Sequence, residues 1–311
     1  MSQTRRTFLE ATAAAAALSA APAMPTRLFG QTGKHISVLA FGCGSRFLMY
    51  KDEDEAIGVI HKALDLGITY FDTAYDYGKG LSESRVGKGL GARRKDVYLA
   101  TKIPARDAET AKRIIDGSLE RCRTDHFDTI HIHSLTTEED LAKIEAKDGI
   151  LNLLYKLRDQ KVARNVGISC HTDPRVLKLA LERHDFNVTQ FALNAARIGE
   201  VQNGRDPENE SFEALALPVA LKKKMGVTAM KIFGQEKLSG KAPAEKLIHY
   251  SLSLPVGAVV LGMPKLDFLE QNALSAKNFK PMSRDEMNGM NKQLSPYKAA
   301  MDRYFRDHVD A

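Results

Sequence analysis

Residues 97–133 read VYLATKIPARDAETAKRIIDGSLERCRTDHFDTIHIH. Two short apolar runs, Val97–Thr101 and Thr129–His133, flank a segment, Ala108–Cys122, whose apolar residues recur at helical spacing. A strand, a helix and a second strand in that order predict parallel pairing. The same unit repeats in both directions along the chain. Further apolar runs lie at Ser37–Gly42, Thr69–Phe71, Ala163–Ser169, Val188–Phe191, Val227–Lys231 and Ala258–Leu261. Helical patterns lie between them, among them Asp54–Leu66, Asp173–Glu182, Phe212–Met225, Ala242–Leu252 and Leu266–Leu274. Eight such units predict an α/β fold closed as a (β/α)8 TIM barrel. An open doubly wound sheet would carry a glycine fingerprint after its first strand, but Gly42-Cys43-Gly44 lacks the third glycine at the required spacing. Gly87-Lys88-Gly89-Leu90-Gly91 looks like a phosphate loop, yet it falls at a helix end, where glycine commonly stops a helix. Residues Arg27–Val38, with the turn-like Gln31-Thr32-Gly33-Lys34, read as an N-terminal β-hairpin plugging the bottom of the barrel, and the chain closes with a helical tail.

The first 23 residues read as a separate object. Arg5-Arg6 stands before Phe8-Leu9 and an uncharged, alanine-dominated run to Ala21. Paired arginines, a weakly apolar core and the small-residue pattern Ala21-Pro22-Ala23 resemble a twin-arginine export signal cleaved after Ala23. The reading expects the twin-arginine machinery as a partner, a periplasmic or otherwise exported location, and a mature domain at 24–311. The apolar run is too short to span a bilayer, for which about 20 residues are needed, so no stable membrane span is expected in the mature protein.

The chain has 45 basic and 39 acidic residues, a net charge of +6. Its densest basic stretches, Arg93-Arg94-Lys95 and Lys222-Lys223-Lys224, are too short for a nucleic-acid surface and read as solvated faces. Cys43, Cys122 and Cys170 are scattered and indicate neither a disulfide framework nor a metal knuckle.

In a barrel the reactive groups gather at the carboxyl ends of the strands. The second strand runs into Phe71-Asp72-Thr73-Ala74-Tyr75-Asp76-Tyr77-Gly78, the third ends Ala100-Thr101-Lys102, and the fourth ends His131-Ile132-His133. A carboxylate, a phenol, an ammonium and an imidazole thus converge on one mouth. This ordered series resembles the aldo/keto reductase superfamily. Phe71-Asp72-Thr73-Ala74 with Tyr77-Gly78 and Ser82-Glu83 is similar to its signature around the active tyrosine, while Lys102 and His133 match its lysine and histidine.

The resemblance implies an oxidoreductase that moves hydride between a nicotinamide and a small-molecule carbonyl or alcohol, with Asp72, Tyr77, Lys102 and His133 as the catalytic set. Tyr77 would pass a proton to the substrate oxygen, Lys102 would assist it, Asp72 would hold Lys102, and His133 would orient the carbonyl. An ammonium about 4 Å from a phenol oxygen favours proton release by roughly 4 kcal/mol at an effective dielectric of 20. The cofactor implied is NADP(H), with NAD(H) the alternative. Its contacts would come from Gly42, Ser169, Cys170, Gln190, Met230, Lys231, Gly262, Lys265 and Asn272, with Lys231 reaching the pyrophosphate. The chain departs from the family at four places. Ser134-Leu135 follows the histidine where tryptophan and proline are frequent, Cys170 replaces an asparagine, Met230 aligns with the aromatic that stacks under the nicotinamide, and Phe268 stands where a base for the 2′-phosphate is expected. The pocket is expected to be shaped by Arg46, Phe47 and Tyr50, by Ala192–Glu210, and by Tyr304-Phe305.

Two other readings compete. His131-x-His133 puts two imidazoles on one strand face, a spacing that can hold a metal in a hydrolase, though the later strand ends offer few further ligands. Otherwise His131 is a hydrogen-bonded residue one layer deeper. A non-catalytic cofactor-binding barrel is the third reading, since a fold does not guarantee turnover.

Overall fold

The computed structural model describes residues 22–198 and 210–306. The segment expected to be an export signal, apart from Pro22 and Ala23, and the middle of the Ala192–Glu210 segment lie outside the described residues. A two-stranded antiparallel hairpin comes first, β1 (Thr26–Leu28) with β2 (His35–Ser37). Eight parallel strands then close on themselves: β3 (Leu39–Gly42), β4 (Tyr70–Asp72), β5 (Tyr98–Ile103), β6 (Phe127–Leu135), β7 (Ala163–Cys170), β8 (Val188–Ala192), β9 (Gly226–Met230) and β10 (Ala258–Gly262). The seam is the pairing of β10 with β3, where Val259 faces Leu39 and Gly262 faces Gly42.

The helices between strands are α1 (Glu53–Asp65), α2 (Leu81–Leu90), α3 (Ala108–Cys122), α4 (Glu138–Glu145), α5 (Ile150–Asp159), α6 (Pro174–Arg183), α7 (Phe212–Lys222), α8 (Ala244–Ser253) and α9 (Leu266–Lys277); α10 (Arg284–Arg306) is the tail. Several starts are set by side-chain caps: Asp52 accepts from Glu55 N–H, Asp107 from Thr110 N–H and Thr137 from Asp140 N–H. Each cap satisfies a donor that the first helical turn leaves open.

Two cores result. Strand residues facing outward pack against the helices. Those facing inward fill the barrel floor with Ala40, Tyr70, Tyr98, Ala100, Val188, Ala258 and Val260, joined by Phe29 and Ile36 of the hairpin region. Phe29 is fully buried, its ring centroid 5.7 Å from that of Tyr70 and 5.4 Å from that of Tyr98. The hairpin is therefore a plug, and the barrel opens only at the other end. The run read as one strand from Ser37 to Gly42 is two, because the Ser37 hydroxyl donates to Leu39 C=O and accepts from Thr69 N–H, tying the step between hairpin and barrel. Of the glycines after Val86, Gly91 follows the last residue of α2 at φ +46°, a helix end as the sequence suggests, whereas Gly87 lies inside α2 and serves packing: a Cβ on it would lie 2.3 Å from the Arg121 carbonyl oxygen, so α2 and α3 touch backbone to backbone there.

Truncating Phe29 to alanine leaves a void under the floor of the barrel. The expected cost is about 3–5 kcal/mol, checked by urea unfolding, with turnover per folded molecule retained because Phe29 lies far below the mouth.

Candidate active site

At the mouth, Lys102 on β5 is 1% exposed and its ammonium makes three contacts. Nζ donates to Asp72 Oδ2 at 2.7 Å, to Thr73 C=O at 2.9 Å and to the Tyr77 hydroxyl at 3.2 Å. An ammonium has three protons and no lone pair, so all its capacity is used. Tyr77 accepts from Lys102, which leaves the phenol proton to be directed elsewhere, and Tyr77 lines the cavity.

The loop carrying Tyr77 is pinned on several sides. Thr73 N–H donates to Ala100 C=O and Tyr75 N–H to Lys102 C=O, stitching the loop to β5. The Ser82 hydroxyl is 2.8 Å from that of Thr73 and donates to Cys43 C=O. Buried Glu83 accepts from Thr101 Oγ1 at 2.6 Å and from Arg121 Nε at 2.8 Å. The Ser-Glu pair thus locks the start of α2 to β3, β5 and α3.

His133, on β6, places Nδ1 3.2 Å from Asp76 Oδ2 and its ring edge-on to Tyr77, centroids 5.8 Å apart. Beyond it the register of β6 shifts. Ser134 takes φ +54°, its N–H donates to Ser169 Oγ, and its carbonyl accepts from Arg106. A single polar residue with a strained backbone therefore stands where the resemblance has tryptophan.

The cavity holds about 340 Å³, the lower end of the range for small-molecule sites. Of the expected cofactor residues, Gly42, Gln190, Met230, Lys231 and Gly262 line it together with Asp72 and Tyr77. Gln190 Nε2 donates to Asp72 Oδ2 at 3.2 Å, while Gln190 Oε1 and Asp72 Oδ1 are buried without hydrogen-bond partners. Buried polar atoms left open at a cavity wall are acceptors awaiting a donor, and an amide N–H of a nicotinamide is such a donor. Lys231 sits at φ +59°, its carbonyl held by Asn194 Nδ2 and Gly234 N–H, with Nζ 5.5 Å above the Phe305 ring.

Four expectations fall elsewhere. Cys170 is not brought to the cavity: Sγ donates toward Leu135 C=O and Asp173 C=O in the outer core. Strand alternation explains this, since neighbours Ser169 and Cys170 point to opposite faces. Ser169 is buried, engaged with Ser134, and outside the lining. Lys265 caps α9 without a side-chain bond and Asn272 lies farther along the same helix, both beyond the cavity. Of the residues expected to shape the pocket, Arg46 and Tyr304 line it, whereas Phe47 and Tyr50 are buried; Phe47 meets Phe41 edge-on and Tyr50 C=O accepts from Arg85. Sequence reasoning passed over Asp76 and Asn194, polar residues at loop positions without a period to mark them.

His131 lies one layer below His133, as expected, but neither ring nitrogen makes a well-formed hydrogen bond. Its ring rests on Gly167, where a Cβ would be 2.4 Å from Nδ1. Burial first, then the charges of Lys102 and His133, hold its pKa well below the usual imidazole range, with a backbone contact at Ile168 offsetting part of this. Among the described residues, no group of three or more His, Cys, Asp or Glu side chains is placed to hold a metal ion, and no helix is long and apolar enough to cross a membrane.

This geometry agrees with the comparisons to known proteins. The model of the aldo/keto reductase family matches residues 39–251. The chain belongs to the aldo/keto reductase family. It is 26% identical to the uncharacterized oxidoreductase YqkF of Bacillus subtilis (strain 168), over 86% of this chain and 95% of the relative. It is also 26% identical to L-galactose dehydrogenase of Arabidopsis thaliana, over 84% and 90% of the two chains. The holo form of aldo-keto reductase AKR11C1 from Bacillus halodurans superposes with a TM-score of 0.70 at 24% identity, over 87% and 96%. An aldo-keto reductase from Klebsiella pneumoniae in complex with NADPH superposes with a TM-score of 0.67 at 20% identity, over 88% and 95%. These two superpositions speak for the fold. As a member of the family, the chain is an NAD(P)H-dependent reductase.

The buried, neutral His131 makes stability depend on acid. Unfolded, the imidazole titrates near 6.5; folded, it refuses the proton. The unfolded chain therefore binds more protons below about pH 6.5, and stability falls as pH falls, by up to about 1.4 kcal/mol per unit for one group. In His131→Asn the slope of unfolding free energy between about pH 6.5 and 5 should be shallower by up to that amount. An unchanged slope sinks the assignment.

Proposed function

We propose that Tyr77 is the general acid and base of a hydride transfer between NADP(H) and a small-molecule carbonyl or alcohol. The observation that carries this reading is the hydrogen bond from buried Lys102 to the Tyr77 hydroxyl at 3.2 Å, which aims the phenol proton away from Lys102. When bound, the nicotinamide supplies or accepts the hydride. The protein's own part is to hold and move a proton at the Tyr77 hydroxyl. In reduction that proton goes to the substrate oxygen, and the neighbouring ammonium stabilises the phenolate left behind. Asp72 neutralises and holds Lys102. His133, edge-on to Tyr77, would orient the substrate carbonyl. Gln190, Met230 and Lys231, which line the cavity, would hold the cofactor, Gln190 Oε1 accepting from the nicotinamide carboxamide and Lys231 meeting the pyrophosphate.

A preference for NADP(H) is supported by the named cofactors of two relatives, the Klebsiella pneumoniae reductase in complex with NADPH and the aldo-keto reductase yakc [NADP(+)] of Schizosaccharomyces pombe. Lys265 at the start of α9 would be the cation to meet a 2′-phosphate. Export through the twin-arginine route, which carries folded proteins, rests on Arg5-Arg6 and the uncharged run behind it; the cofactor would then be bound before export and retained.

Titration with NADPH and with NADH, followed by protein fluorescence, tests the cofactor reading. Tyr77→Phe should keep NADPH binding and lose about 10²–10⁴ of kcat, while Lys231→Ala should weaken dinucleotide binding with kcat much less affected. Full turnover in Tyr77→Phe would remove the phenol from the chemistry. For export, changing Arg5 and Arg6 to lysine should leave the full-length protein in the cytoplasm of a twin-arginine-competent host. Equal extracytoplasmic yield from both versions would overturn that reading.

A further inference from the structure

The hydrogen bonding between β8 and β9 continues past the strands themselves. Their last register pair is Ala192 with Met230, and Leu193 N–H then donates to Met230 C=O at 3.2 Å. At the next step Lys231 turns into the left-handed region, φ +59°, and a side chain stands in for the backbone donor. Asn194 Nδ2 donates to Lys231 C=O at 2.8 Å, between residues 37 positions apart in the chain. Asn194 Oδ1 accepts from Ala196 N–H at 3.1 Å, and the Asn194 carbonyl accepts from Arg197 N–H at 2.8 Å. A carboxamide suits the place because one end must donate while the other accepts. Asn194 is 1% exposed and does not line the cavity.

Lys231 does line it. A left-handed backbone is unfavourable for a residue with a Cβ and persists only where its surroundings over-determine it. Two donors converge on the Lys231 carbonyl, Asn194 Nδ2 and Gly234 N–H. Gly234 belongs to the same turn and would move with it, so Asn194 is the hold from outside. Gln235 at φ +52° and Glu236 at φ +72° continue the left-handed stretch along the cavity wall. The direction in which Lys231 leaves the end of β9 thus depends on a side chain from the end of β8.

We propose that Asn194 is a positioning residue for the dinucleotide, which fixes the left-handed turn at Lys231 and through it the ammonium that meets the cofactor pyrophosphate. This rests on the reading of Lys231 as that cation. Without the Asn194 donor, Lys231 relaxes toward right-handed or extended backbone and its ammonium spends less time at the wall. The loss falls on binding, since the Tyr77 hydroxyl is held separately by Lys102.

A double-mutant cycle on NADPH binding, read by calorimetric titration, tests the link. Lys231→Ala should raise the Kd about tenfold, or about 1.4 kcal/mol, the worth of one charge-assisted contact. Asn194→Ala should raise it about fivefold. In the double variant the Kd should stay within about twofold of that of Lys231→Ala, because the ammonium that Asn194 places is gone. Added salt should weaken NADPH binding by the wild type more than by either single variant, since each has lost a screened attraction. Asn194→Ser, whose hydroxyl can still accept from Ala196 N–H, should repeat the fivefold loss, and it carries the cycle should Asn194→Ala not fold. Single effects that multiply in the double variant overturn the proposal, because Asn194 then acts by another route. Wild-type affinity in both Asn194 variants, with a loss in Lys231→Ala, overturns the role of Asn194 and leaves the pyrophosphate reading standing. Wild-type affinity in Lys231→Ala removes that reading and the proposal with it.

Discussion

A lysine ammonium 1% exposed is the constraint on which the active end of this barrel depends. Moving such a charge out of water costs several kcal/mol even after relaxation, and the cost is met only if an opposite charge and good hydrogen bonds await it. Lys102 finds all three acceptors within a short arc of chain, Asp72, Thr73 C=O and Tyr77 Oη. The arc must therefore be where it is. β4 has to lie beside β5, the loop after β4 has to double back over the strand ends, and Tyr77 has to face inward. Removing either member of the Lys102–Asp72 pair would strand the other as an uncompensated buried charge, so fold and chemistry share one interaction.

That arc is held by residues that never meet a substrate. Glu83, fully buried, draws Thr101 and Arg121 together, and Ser82 joins Thr73 to the β3 backbone. Each staple fixes α2 relative to the strands, and α2 begins only a few residues after Tyr77. The hairpin at the far end serves the same purpose from below: Phe29 closes the floor, and the buried Lys102 contacts gain strength from their distance to solvent.

Much of this was legible in the sequence because the barrel strands are short apolar runs and several helices announce their starts with Asp, Thr or Ser caps. The observed strands keep to the expected runs with shifts of at most two residues at their ends. What the sequence hid has physical causes. The step at Ser37 turns on a side-chain hydroxyl, invisible to a hydropathy pattern. Cys170 matched a motif position, yet its thiol points to the helices, a matter of which face of β7 each residue takes. The cavity wall draws on Gly44, Arg46, Gln235, Glu236 and Tyr304, residues far apart in the chain whose loops have no period. Arg46 and Glu236 even meet across it at 3.3 Å, a contact no local pattern encodes.

The same buried charge also limits what else the mouth can contain. Lys102 is the register partner of His131 across β5 and β6, and a second cation there would stand buried beside the first, repelled by it and out of water. His131 answers by staying neutral, pressed on Gly167 in a space that only glycine leaves open. His133, one layer higher, instead meets a carboxylate from the rim. Two histidines two residues apart on one strand thus carry different burdens, and depth below the mouth decides which is which. The deeper ring fills space beneath a charge it must not duplicate, and the upper one is held by the Asp76 carboxylate beside Tyr77.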